Sequence, residues 1–344
     1  MKTAPSCTGH LAWSGAPFAD AAVDVVHIGI DLGGTKIYGV VLDDGSVVRE
    51  AKRKTPVRGG PMGVVDAIAD VVSQLGGLDG VSGVGIGAPG AVDAQGVVQR
   101  APNLPGWDQP FALGEVMSES LDGVPVAVDN DVNVGTLAEL RLGAAVGSAD
   151  VLGIFVGTGV GGAVVLDGQV RRGATGVAGE IVHMVVRQGA RRCGCGGRGH
   201  LEAYAGRWAM EKRARRLAAD GQDSLLLELS KKNRLTSSTF AKARAAGDRV
   251  TMELLDEGIQ ALGTAIASCV ALLDLDRVVV GGGLADRLGP DFVADVEQAA
   301  RGQLFLQTAR LRVVPASLGD QGGAVGAALA VAESNADEAG QDGR

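Results

Sequence analysis

The stretch GIDLGGTKIYGVVLDDG, residues 29–45, returns in altered form as GIFVGTGVGGAVVLDG, residues 153–168. Each copy runs from an apolar segment through a glycine turn into a second apolar segment that closes on VVLD and a glycine. Val and Ile on both sides of a tight Gly turn make a β-hairpin, so VVHIGID (25–31) and YGVVLD (38–43) are the expected strands of the first copy. Two copies of one hairpin, each opening one half of the chain, predict two related α/β domains facing each other. The segments around them agree. Residues 61–75 place Val64, Val65, Ile68, Val71, Val72 and Leu75 at helical spacing, while VSGVGIGAP and VPVAVDND read as short buried strands. A long helix is expected over 248–273, capped by Asp248, leading into the strand RVVVGGG (277–283). Strands and helices in alternation imply an α/β protein with a largely parallel sheet.

Composition bounds what such a protein does. The chain has 344 residues, 46% apolar and 21% charged, with a net charge of −8, the balance of a globular protein. Fifty-four glycines without a G-X-Y period exclude collagen and point to tight turns. The acidic balance argues against a nucleic-acid or anionic-membrane partner, and no run of eighteen apolar residues is present to span a bilayer. With no apolar signal segment near the start, a cytoplasmic location is expected. Residues 1–24 read as a flexible leader, 25–138 as an N-terminal domain joined by a helix at 321–333, 139–320 as a C-terminal domain, and 334–344 as a disordered tail. The four cysteines, Cys7, Cys193, Cys195 and Cys269, are too unevenly placed for a disulfide framework.

Two stretches satisfy G-x-G-x-x-G, at Gly85, Gly87, Gly90 and at Gly157, Gly159, Gly162, yet neither opens a helix as a dinucleotide fold requires. No Gly-Lys dipeptide exists for a Walker A loop. What remains is a pair of hairpin turns whose backbone N–H groups can close on phosphate oxygens. Gly33, Gly34, Thr35 and Lys36 in the first turn, Thr158 and Gly159 in the second, and Gly281, Gly282 and Gly283 after a third buried strand form the candidate site for a nucleoside triphosphate. Asp31, beside the first turn, either holds Mg²⁺ through water or caps the turn. DNDVN (129–133) stands between a strand and a helical segment, where α/β proteins place their chemistry. Phosphoryl transfer to a hydroxyl needs a carboxylate to take the proton, and Asp129 and Asp131 both qualify.

Seven segments, DLGGTK, GIGAPG, DNDVNVGTLAE, GTGVGG, GEIVH followed by CGCGGRGHLE, VVVGGG and LGDQGGAVGAA, resemble in order the motifs of the ROK family of sugar kinases and repressors. The likeness spans roughly residues 25–333 and is strongest toward bacterial glucokinases. It implies the actin-like, ribonuclease-H-like two-domain fold with an interdomain cleft, and ATP-dependent phosphorylation of a hexose, glucose foremost, at its 6-hydroxyl. In that pattern Asp131 is the catalytic base, and Asn103, Asn130, Glu180, His183 and Glu202 join it in contacting the sugar. Trp107, after a Pro-Gly turn, reads as packing. A homo-oligomer, dimer or tetramer, is also implied.

His183, Cys193, Cys195 and His200 read H-x₉-C-x-C-x₄-H, four N and S donors suited to a closed tetrahedral Zn²⁺ site. A redox pair or free thiols are the competing readings. The family usually supplies a third cysteine where this chain has His200. Such a metal is structural, stapling the loop that carries Glu180 and Glu202. The cations Arg207, Lys212, Arg213, Arg215 and Arg216 read most simply as a solvated helix face. Two rivals to a glucokinase stand: an N-acetylhexosamine kinase, and a sugar-responsive transcriptional repressor. The repressor is disfavoured by retention of Asp131 and by the 24 residues that precede the hairpin, fewer than a helix-turn-helix module needs.

Overall fold

The computed structural model describes residues 26–101, 104–230, 235–306 and 310–342, with the backbone alone from 337 on. Asn103, Cys7 and the expected leader lie outside the described residues. The first half opens with strands β1 (Val26–Leu32), β2 (Lys36–Asp43) and β3 (Ser46–Lys54), then helix α1 (Gly60–Gln74) and β4 (Val81–Ala88). A small ribbon of β5 (Ala91–Val92) and β6 (Val98–Arg100) follows, then α2 (Leu113–Ser120), β7 (Val126–Asn130) and α3 (Asp131–Leu142). The second half starts again with β8 (Val151–Val156), β9 (Val160–Leu166) and β10 (Gln169–Arg171). Short α4 (Glu202–Ala205), α5 (Arg207–Ala219), α6 (Leu225–Glu228) and α7 (Ser237–Ala245) lead to the long α8 (Arg249–Leu273). The chain ends with β11 (Arg277–Gly281), α9 (Ala285–Leu288), α10 (Pro290–Arg301), β12 (Arg312–Pro315) and α11 (Gly322–Asp342).

The repeat in the letters is a repeat in topology. One sheet has the order β3-β2-β1-β4-β7, the other β10-β9-β8-β11-β12. In both, an antiparallel hairpin is extended by two parallel strands: β1 pairs β2 antiparallel and β4 parallel, and β8 pairs β9 antiparallel and β11 parallel. Parallel central strands covered on both faces become continuously apolar, which is why Val278, Val279 and Val280 are all buried. The long helix begins where its cap predicts, Asp248 accepting from the Thr251 amide at 2.9 Å. Trp107 is 1% exposed and meets Phe111 edge-on, a packing residue.

Two boundaries differ from expectation. A division between 138 and 139 falls inside α3, whose side chains serve both halves: Ala138 packs with Tyr38, Val40 and Ala324, and Leu137 with Val151 and Val279. The helix beginning at Gly322 also continues to Asp342 rather than ending before an unstructured tail. Once the packed turns around Ala324, Val325 and Ala328 nucleate it, each further residue costs little, and Ala and Glu in the tail are good helix formers.

Candidate active site

The equivalent ends of the two sheets face a cavity of about 200 Å³. Asp31 and Lys36 reach it from the first hairpin, Asp131 from α3, Phe155 from β8, Gly282 and Gly283 from the turn after β11, Asp320 from the single 3-10 turn before α11, and Gly323 from the start of α11. Gly282 must be glycine, since its φ is +89° and a Cβ would stand 2.8 Å from the Val156 backbone. Asp31, half-buried and packed where a Cβ on Gly323 would lie 3.0 Å away, has its carboxyl pushed up to about 6 by burial, with Lys36 opposing and Asp320 reinforcing. Lys36 Nζ lies 3.3 Å from Asp320 Oδ2. Burial pushes Asp131 higher, to about 7, and the negative charges of Asp31 and Glu180 add to this.

The structure separates the two carboxylates that composition left equal. Asp129 is buried and committed: Oδ1 accepts from the Asn130 amide at 2.7 Å and from Asn133 Nδ2 at 2.8 Å, while Oδ2 accepts from Arg172 Nε at 2.8 Å. Asp131 accepts one hydrogen bond, from the Val132 amide at 2.9 Å, and lines the cavity. Asn130 is the N-cap of α3, its Oδ1 accepting from Val132 N and Asn133 N and its Nδ2 donating to the Gly90 carbonyl at 2.9 Å. The cap thereby fixes the first helical residue, Asp131, at the cleft.

Behind Asp131 lie the remaining acids. Glu180 is raised by burial first, with His183 lowering it and Glu202 raising it, and its Oε2 stands 3.9 Å from His183 Nε2. Glu202, the first residue of α4, lies between two parts of the site. A Cβ on Gly159 would be 2.7 Å from its Oε1, and the Cys193 thiol donates to its Oε2 at 3.4 Å. A side chain at 159 would therefore displace the Glu202 carboxylate rather than strain the backbone. The amides of Gly33 and Gly157 are spent closing their turns, on the carbonyls of Lys36 at 2.9 Å and Gly159 at 2.8 Å.

Two arginines join the site that the residue pattern did not single out for it. Arg207 is buried rather than on a solvated face: Nη2 donates to Thr158 Oγ1 at 2.6 Å, and Nη1 to the Leu235 carbonyl. It opens α5, so its side chain folds back under the glycine turn, and its amide bonds Gly157 O at 3.3 Å. Arg172 ties the end of β10 to Asp129 at the end of β7, across the two halves.

Ligand atoms of His183, Cys193, Cys195 and His200 all lie within 4.8 Å of one another. Cys195 Sγ is 3.2 Å from His200 Nδ1, and the two imidazole rings meet edge-on at 5.5 Å. Burial pushes the Cys193 thiol to about 11, so a thiolate there needs a neighbouring cation. Two thiols and two imidazoles converging in this way fit a tetrahedral Zn²⁺.

The family model described as "ROK family" matches residues 27–334. The glucokinase of Streptomyces coelicolor is 34% identical over 88% of this chain and 96% of its own, and the N-acetylmannosamine kinase of Vibrio cholerae is 30% identical over 75% of this chain and 83% of its own. The crystal structure of a ROK family glucokinase from Streptomyces griseus in complex with glucose and AMPPNP superposes with a TM-score of 0.74 at 33% identity, covering 88% of this chain and 98% of that one. Paired sheets of like order, a cleft carboxylate at a helix cap and a match along nearly the whole described chain converge: the protein is a member of the ROK family, with its actin-like two-domain fold.

Proposed function

We propose that the protein phosphorylates the 6-hydroxyl of glucose from ATP. The observation that carries this reading is the position of Asp131: a carboxylate at the mouth of a capped helix, between a nucleotide-side cavity with Asp31 and Lys36 and the sugar-side acids Glu180 and Glu202. A base titrating near 7 combines an ionised fraction with real proton affinity at neutral pH. Asp131 takes the proton of the attacking hydroxyl as the phosphoryl group leaves ATP. The glucokinases of 34% and 33% identity favour glucose over an N-acetylhexosamine.

The roles of the neighbours follow. Lys36 and the turns at Gly33, Gly34, Thr35, Thr158 and Gly159, with Gly281, Gly282 and Gly283, receive the nucleotide, and Arg207 holds Thr158 in place. Mg²⁺, when bound at Asp31, supplies neutralisation of phosphate charge. Asn130, Glu180, His183 and Glu202 hold sugar hydroxyls, and Asn103 joins them by resemblance. Zn²⁺ in the shell of His183, Cys193, Cys195 and His200 would fix the loop without touching the chemistry, since a filled tetrahedral site leaves no open position. A homo-oligomer, dimer or tetramer, and a cytoplasmic location belong to the same reading; light scattering measures the first. Among the described residues no helix is long and apolar enough to cross a membrane.

A coupled assay with MgATP across glucose, mannose, fructose, N-acetylglucosamine and N-acetylmannosamine tests the proposal. Glucose should give the highest kcat/KM; a higher value for either N-acetylated sugar moves the assignment to that kinase, and no turnover with any sugar moves it to a sugar-binding regulator.

A further inference from the structure

On the outer side of the metal loop, α5 and the loop enclose a second concavity of about 430 Å³. Six cations line it: Arg191, Arg192 and Arg198 from the loop, and Lys212, Arg213 and Arg216 from α5. No carboxylate is among the lining residues, and Trp208 adds an aromatic wall. Arg191 is neutralised by Glu257 at 2.6 Å. Among the described residues the other five have no ion pair. Glu211, the acid nearest in sequence, is taken by Arg215 at 2.7 Å.

This arrangement works against the fold. Arg192 and Arg198 are directly opposed in an antiparallel bridge, and like charges so placed destabilise. Lys212 and Arg216 stand four apart on one helix face, and Arg213 and Arg216 three apart, each adding repulsion of a few tenths of a kcal/mol. A solvated helix face would spread its charges. Here two separate elements aim five uncompensated cations into one concavity, in a chain whose net charge is −8. Such a focus of positive potential attracts and holds anions. Four of the five are arginines, whose planar forks match phosphate oxygens two at a time.

We propose that this groove is a binding site for a small polyanion carrying two or more phosphate groups, separate from the catalytic cleft. Nucleoside triphosphates and free oligophosphates share the required chemistry. An occupant would bridge the metal loop to α5 and sit behind the second glycine turn, because the Trp208 amide bonds Thr158 O at 3.0 Å and the Trp208 ring packs where a Cβ on Gly194 would lie 3.3 Å away. The inference does not depend on which sugar the cleft takes.

The test is calorimetric titration of the full-length, zinc-loaded protein with inorganic tripolyphosphate, comparing wild type with Arg213→Glu/Arg216→Glu and the milder Arg213→Gln/Arg216→Gln. Both pairs lie outside the catalytic cleft, so unchanged basal kinase activity reports intact folding. The wild type should show a site whose affinity falls steeply with salt, weakened at least tenfold in the Glu pair and measurably in the Gln pair. A second arm with ATP and glucose-saturated protein separates the sources: the groove's preferred ligand is the one whose stoichiometry drops by one in the Glu pair. Equal tripolyphosphate binding in all three proteins would overturn the proposal. A short DNA duplex binding more tightly than tripolyphosphate at the same salt would also overturn it, in favour of a nucleic-acid surface.

Discussion

Replacing Asp131 with Asn removes the charge while keeping the shape. The amide oxygen still accepts from the Val132 amide, as the carboxylate does at 2.9 Å, and the Asn130 cap is untouched. Two consequences of opposite sign follow. Catalysis should suffer: kcat falls by about 10²-fold or more, the usual scale for a lost positioned base, while the KM for sugar and ATP changes little. Stability should gain. A carboxyl moved from its ordinary 3.8 up to about 7 by burial, Asp31 and Glu180 has its ionised form disfavoured by about 4 kcal/mol at about 1.4 kcal/mol per pH unit. Relaxation and water entering the cleft reduce this to about 2 kcal/mol. Between these two values the folded state holds a proton that the unfolded chain has released, so wild-type stability is lost as pH rises from about 4 to about 7. The Asn variant lacks that loss. Its advantage should be absent near pH 4 and full at pH 8, measured by urea unfolding without nucleotide or Mg²⁺. A variant no more stable than wild type at pH 8, or one with near-normal kcat, would refute the reasoning and return Asp129 to consideration.

Other expectations follow from the same geometry. Arg172→Ala should lower kcat with little change in ATP KM, because Asp129 loses the partner that locks it at 2.8 Å; Arg172→Lys should recover part of the loss, and an equal fall in ATP affinity would argue against it. Gly159→Val places its Cβ against Glu202 Oε1, so both sugar and ATP KM should rise, and an effect on ATP alone would contradict the contact. His200→Ala should lose zinc on metal analysis and raise sugar KM, whereas His200→Cys keeps the metal; full zinc in the Ala variant would remove His200 from the shell. Zinc retention should also weaken at mildly acidic pH, where protons compete for two imidazoles, and pH-independent retention would count against a two-histidine shell.

What the sequence discloses is what acts locally. The two hairpins are legible because Val and Ile flank their glycine turns, and the Asp248 cap because it stands directly before a helical pattern. The Cys/His cluster is legible because its members fall within eighteen residues, from His183 to His200. Arg172 and Arg207 are not, because their partners lie 43 and 49 residues away and only the folded chain brings them together. Arg207 is also hidden by its company, being the one cation of its run that is buried against the glycine turn. The choice between Asp129 and Asp131 depends on which carboxylate is already occupied, and on Arg172, which no spacing reveals. The helix beyond 334 escapes for the opposite reason: polarity suggests disorder, yet continuation of a packed helix needs no further burial.

The central claim, transfer of the terminal phosphoryl group of ATP to the 6-hydroxyl of glucose with Asp131 as base, is tested most directly by product identification. Glucose labelled with ¹³C at C6 is incubated with MgATP and either wild type or Asp131→Asn, and ¹³C–³¹P coupling is followed by NMR. Coupling should appear at C6 with the wild type, and at least about 10²-fold more slowly with the variant. Phosphate on another carbon, no product, or equal rates in the two proteins would contradict it.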